Sequence, residues 1–112
     1  MFAQQDMKKM LLRSDKELRE FYPEHADEFS KIRSLAESGD LEAANKAARN
    51  LHCSAVVRDS RTGIIEIVIG GLVDNAVGYM YVPDGQSKPE MTPDEYIYVE
   101  RIADNWFLFK TT

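Results

Sequence analysis

Gly78-Tyr79-Met80-Tyr81-Val82 and Glu95-Tyr96-Ile97-Tyr98-Val99-Glu100 hold four of the chain's five tyrosines in two alternating runs. Side chains along a strand point to opposite faces in turn. Each run therefore sets two tyrosines against two aliphatics, Met80 with Val82 and Ile97 with Val99. The aliphatic side is the expected core side, which leaves the tyrosines where a solvated antiparallel sheet ordinarily carries Lys, Glu, Thr and Ser. A sheet that is apolar on one face and aromatic on the other needs a cover on both.

Working outward, the period of two extends from residue 53 to the end of the chain. Ser54 to Arg58 and Ile64 to Ile69 flank Asp59-Ser60-Arg61-Thr62-Gly63, a hairpin loop, and Gly70-Gly71 marks a loosened or bulged strand. Asp74-Asn75 makes a turn before the first tyrosine run. The stretch from Pro83 to Pro93, with three prolines and a glycine, reads as a surface loop. Ala103-Asp104-Asn105 then reverses the second tyrosine run into Trp106-Phe107-Leu108-Phe109-Lys110.

Residues 1–52 follow a helical period instead. Met7, Met10, Leu11, Leu18, Phe21 and Tyr22 recur at threes and fours, with a capping box at Ser14 to Glu17 and Pro23 as a stop. A second helix runs from about Glu24 to Glu37 and buries Phe29, Ile32, Leu35 and Ala36, with Gly39 ending it. Asp40 caps a third, whose stripe of Leu41, Ala44, Ala48 and Leu51 is small enough to lie close to a neighbour. The 112 residues thus predict one domain of the α+β class: about three N-terminal helices over residues 1–52, packed on one face of a curved antiparallel meander of four to five strands over residues 53–112.

Face assignment carries the functional reading. If Ile65, Ile67, Ile69, Met80, Val82, Ile97, Val99, Phe107 and Phe109 line the helix side, the other face carries Tyr79, Tyr81, Tyr96, Tyr98, Glu100 and Trp106, together with Ile64, Glu66, Val68, Leu108 and Lys110. Tyr and Trp dominate interface hot spots because they supply large contact area with few rotatable bonds and a polar tip. Such a face is either a docking surface for a protein partner or a second copy, as in a homodimer, or a second core formed by curling of the sheet.

Charge adds to this picture. The formal net charge is -5, which argues against nucleic acid as the main partner, since phosphate binding needs clustered Lys and Arg. Six carboxylates, Asp84, Glu90, Asp94, Glu95, Glu100 and Asp104, stand against only Lys88 and Arg101 between residues 84 and 104. That segment is a solvated rim or a docking surface for a basic partner.

Chemistry is sparse by comparison. Glu66 is one carboxylate in the otherwise apolar run Ile64 to Ile69, where desolvation could prepare it for acid-base work or a tyrosine hydroxyl could hold it. His52 and Cys53 have no further Cys or His at ligand spacing, so neither a metal nor a cofactor is expected. Cys53 lies beside apolar strand residues and suits a buried thiol in a reducing compartment. The first residues carry no basic region leading into an apolar run, and no stretch approaches a membrane span, so a soluble cytoplasmic chain is expected.

The order of helices first and a curved antiparallel sheet afterwards, ending in Trp106-Phe107-Leu108-Phe109, resembles the cystatin-like and nuclear-transport-factor-like cone folds. That resemblance implies a pocket between sheet and helices, which some members equip with an Asp-His pair; here no histidine follows His52. Two functions are therefore carried forward. One is a small acidic, non-catalytic interaction domain of inhibitor or immunity type that binds a protein or itself through its tyrosines and its 84–104 segment. The other is a ligand-binding domain or enzyme with a pocket between sheet and helices centred on Glu66.

Overall fold

A computed structural model describes residues 15–70, 76–89 and 96–111. Met7, Met10, Leu11, Ser14, the Asp74-Asn75 turn, Glu90, Asp94 and Glu95 lie outside the described residues. Among the described residues, three helices, α1 (Asp15–Glu24), α2 (Ala26–Glu37) and α3 (Leu41–Asn50), precede five strands, β1 (Ala55–Arg58), β2 (Ile65–Gly70), β3 (Val77–Tyr81), β4 (Tyr96–Ala103) and β5 (Trp106–Thr111). Among the described residues no helix is long and apolar enough to cross a membrane.

Local chemistry fixes the helix ends. Asp40 Oδ1 accepts from the Ala43 amide at 3.1 Å to cap α3, and Gly39 takes the turn between α2 and α3 at φ 90°, a backbone region that disfavours any Cβ. Pro23 lies inside the last turn of α1 and does not end it; α1 closes one residue later, where the His25 amide bonds to the Tyr22 carbonyl at 3.0 Å. Ala44 and Ala48 are fully buried, which lets α3 approach the β1 end of the sheet closely. There Asn45 replaces a missing neighbour strand. Its Oδ1 accepts from the Val56 amide at 2.9 Å and its Nδ2 donates to the Val56 carbonyl at 3.3 Å, so this sheet edge cannot easily accept another strand.

All strand pairings are antiparallel, in the order β1-β2-β3-β5-β4. This departs from a simple meander: β5 returns between β3 and β4, which places β4 at the far edge. The β1–β2 hairpin forms over Asp59–Gly63 as expected, its Asp59 Oδ1 accepting from the Arg61 amide at 2.8 Å and the Thr62 amide at 3.3 Å. A bulge falls between Val68 and Gly70.

The faces of β3 and β5 are opposite to those read from the alternation. Ile67 pairs with Tyr79 and Tyr79 with Leu108, while Ile65, Tyr81 and Trp106 form the next row; directly paired residues share a face, and these rows face the helices. Tyr79 is completely buried and Trp106 nearly so. Phe29 of α2 reaches both rings, at centroid distances of 4.9 Å to Tyr79 and 5.9 Å to Trp106, and Tyr22 stands 5.3 Å from Trp106. The physical reason is the hydroxyl. Tyr79 donates to the Leu18 carbonyl of α1 at 2.6 Å, and with its polar tip satisfied a tyrosine is as good a core residue as a phenylalanine.

Met80, Val82 and Phe109 form a second buried cluster on the face away from the helices, packed with Ile64, Val68, Ala76, Tyr96 and Phe107. The sheet thus has a core on both sides. On β4 the faces also differ from expectation: Tyr98 and Glu100 lie on the helix side, Val99 pairs with Phe109 on the other, and a bulge between Tyr96 and Tyr98 turns Tyr96 onto that same second face.

Candidate functional site

Glu66 stands on the helix-free face of β2, directly paired with Val57 of β1 and Met80 of β3. The Tyr96 hydroxyl donates to its Oε2, joining the start of β4 to β2 across two intervening strands. Its other oxygen, Oε1, has no partner among the described residues. No buried side-chain oxygen or nitrogen among them is left unsatisfied, so Oε1 must be reached by solvent.

Glu66 lines a cleft of about 530 Å³. Val57, Ile64, Glu66 and Tyr96 line it from the sheet, Asp59, Arg61 and Thr62 from the hairpin loop, and Ser87 and Pro89 from the connection that crosses to β4. Asp59 is committed to its loop: bonds from the Arg61 and Thr62 amides, helped by the Arg61 charge, hold its carboxyl below the usual range. Thr62 is also engaged, its hydroxyl accepting from the Ile64 amide at 3.2 Å. Glu66 is the carboxylate that the sheet itself presents to the cleft, whereas Asp59 stands on the hairpin loop. This cleft lies on the sheet face away from the described helices, not between sheet and helices where a pocket centred on Glu66 is expected from the sequence.

The tyrosines named as docking anchors divide accordingly. Tyr79 and Trp106 belong to the helix-side core, and Tyr81 and Tyr98 are partly buried in the same cluster. Tyr81 packs edge-on against Trp106 at 5.3 Å with the Arg33 guanidinium 4.9 Å above its ring. Only Tyr96, of the four tyrosines in the two runs, reaches the cleft.

Described carboxylates of the acidic segment are each engaged locally. Asp84 accepts from Asn105 at 2.8 Å and Asp104 from Arg101 at 2.6 Å. Glu100 receives Arg19 of α1 through Nε and Nη2, at 2.8 to 3.0 Å, and the Tyr98 hydroxyl besides. These bonds hold the Glu100 carboxyl below its ordinary range, with Arg19 the larger cause, and the Tyr98 phenol is raised chiefly by its bond to Glu100. His25 bonds Glu28 at 2.9 Å, and its ring lies tilted against Phe21 at a centroid distance of 4.3 Å. Cys53 is buried, and among the described residues no group of three or more His, Cys, Asp or Glu is placed to hold a metal ion.

No family model, no curated protein and no solved structure matches the chain.

Proposed function

We propose that the chain is a small-ligand-binding domain whose ligand enters the helix-free cleft and is fixed by Glu66 and Tyr96. The observation that carries this reading is the half-used carboxylate: one oxygen is held by Tyr96 and the other faces solvent in a cleft of about 530 Å³. A volume between about 300 and 1,000 Å³, apolar walls and a few converging polar groups characterise ligand pockets. Val57, Ile64 and Pro89 supply the walls, and Glu66, Tyr96, Thr62 and Ser87 the polar groups. The role is binding rather than chemistry. A carboxylate and a phenol held to each other orient a ligand without providing a nucleophile and its base.

Burial of the tyrosine anchors supports the cleft over a protein-docking face, because the rings that would contribute most to such an interface are packed under α1 and α2. A small-fragment screen followed by amide-resolved NMR tests the proposal. Ligands should shift the amides of Val57, Ile64, Glu66 and Tyr96 together, and Glu66→Gln should need higher ligand concentrations for the same shifts. Hits that move only the helices, or no hits at millimolar concentration, would remove the cleft as the functional site.

A further inference from the structure

We infer that the cleft selects a ligand bearing a protonated amine on an apolar stem, with the ammonium bonded to Glu66 Oε1 and the stem lying on Val57, Ile64 and Pro89. This deepens the proposed function and rests on it. Three observations point to a cation. Oε1 is an acceptor without a partner among the described residues, and a carboxylate oxygen offers nothing to a ligand except acceptance. Tyr96 already donates to Oε2, which fixes the carboxylate's orientation and leaves Oε1 as the accepting position. Finally, among the described lining residues the fully charged groups are Asp59, Glu66 and Arg61, two negative against one positive.

Arg61 does not reverse that balance at the floor. It sits on the hairpin loop beside Asp59, whose carboxyl it helps to hold below the usual range, so the two charges at the rim largely offset each other. Glu66 lies on β2, on the face that it shares with Val57 and Met80, where a charge-assisted bond to a cation would add to contact with the apolar walls. A hydroxyl-bearing ligand could donate to the same oxygen but would leave the charge uncompensated; an anionic ligand would be repelled by it. An ammonium satisfies both requirements.

The chemistry is shared by a free alkylamine and by a lysine side chain of a peptide, and the experiment separates the two. Hexylammonium, hexan-1-ol, hexanoate and the tripeptide acetyl-Gly-Lys-Gly-amide are titrated into the intact chain at low salt, with binding read from the cleft amides. Hexylammonium or the tripeptide should bind at least about tenfold more tightly than hexanol and hexanoate, in keeping with a charge-assisted bond. A response confined to hexylammonium assigns a free amine, one confined to the tripeptide assigns a lysine side chain, and a response to both assigns the ammonium itself. Two variants bear on the mechanism in opposite directions. Glu66→Gln should lose about tenfold in amine affinity with its amide spectrum otherwise retained, whereas Arg61→Gln should gain affinity because a competing positive charge leaves the rim.

Equal binding of hexanol or hexanoate in the cleft would overturn the ligand class and leave the cleft as a binding site. An amine affinity unchanged in Glu66→Gln would do the same. Silence from all four probes while other fragments move the cleft amides refutes the class alone; silence from every compound refutes both the class and the proposed function.

Discussion

Arg19 and Glu100 show how one residue pair ties the first helix to the edge of the sheet. Two guanidinium nitrogens meet the Glu100 carboxylate, and Nη2 also donates to the Tyr98 hydroxyl at 3.2 Å, so a single arginine gathers both polar side chains on this face of β4. Arg19 is itself raised above its usual value, first by Glu100 and then by Tyr98. Since the Glu100 carboxyl is depressed in the folded state, its contribution to stability is complete above the unfolded value of about 4.3 and is lost as pH falls through the lower folded value. Acid titration of folding stability should therefore fall less steeply below about pH 4.3 in Glu100→Gln than in the parent chain. Parallel curves for the two proteins would show that the pair adds nothing beyond an ordinary solvated carboxylate. Both side chains are partly exposed, so the effect should also shrink with salt.

At the scale of elements, Gly78 decides whether β3 can lie beside β2 at the bulge. A Cβ at this position would stand 2.2 Å from the Ile67 carbonyl oxygen and 2.9 Å from Val68 Cα, both backbone atoms that cannot swing away. Gly78→Ala should therefore cost about 3 kcal/mol, at the upper end of overpacking penalties, measured by urea denaturation. By contrast nothing lies within 4 Å of a Cβ at Gly85, where φ is 86°, so Gly85→Ala should cost only the left-handed backbone penalty of about 1–2 kcal/mol. Similar losses for the two variants would mean that β3 does not approach β2 as closely as this. These elements also mark where the sequence is legible. Gly39 and Asp40 announce the α2–α3 turn because a cap is a local event, and Asp59 to Gly63 announce the hairpin for the same reason. The order of β3, β5 and β4 is not legible, since the pairing of β3 with β5 rather than β4 is a long-range choice that no local pattern records. Nor does alternation say which set of side chains faces inward; the buried bond from Tyr79 to Leu18 spans 61 residues of sequence and decides that question. Glu66 is visible as a charge in an apolar run, but Ser87, Pro89 and Thr62 join its cleft only through the fold.

For the molecule as a whole, the two-sided core changes what the tyrosines are for. Helices pack against the face that carries Tyr79, Tyr81, Tyr98 and Trp106. The exposed large apolar side chains among the described residues are Leu41, Val57 and Ile97. One starts α3 and the other two lie on strands at opposite edges of the sheet, so they do not combine into a patch of interface size. Tyr81→Glu with Tyr98→Glu discriminates between a surface and a core. On a docking face the pair would yield a stable monomer from a dimer. In the packing observed, one new carboxylate would meet Trp106 and the other would stand beside Glu100 and compete for Arg19, so the double variant should lose about 2–4 kcal/mol of folding stability. Urea denaturation and light scattering on the same samples give the answer, at roughly 100 μM to reveal weak association. A lowered midpoint with no change in mass supports a tyrosine-lined core; an unchanged midpoint with a halved mass would return the tyrosines to an interface and reopen self-association through the sheet.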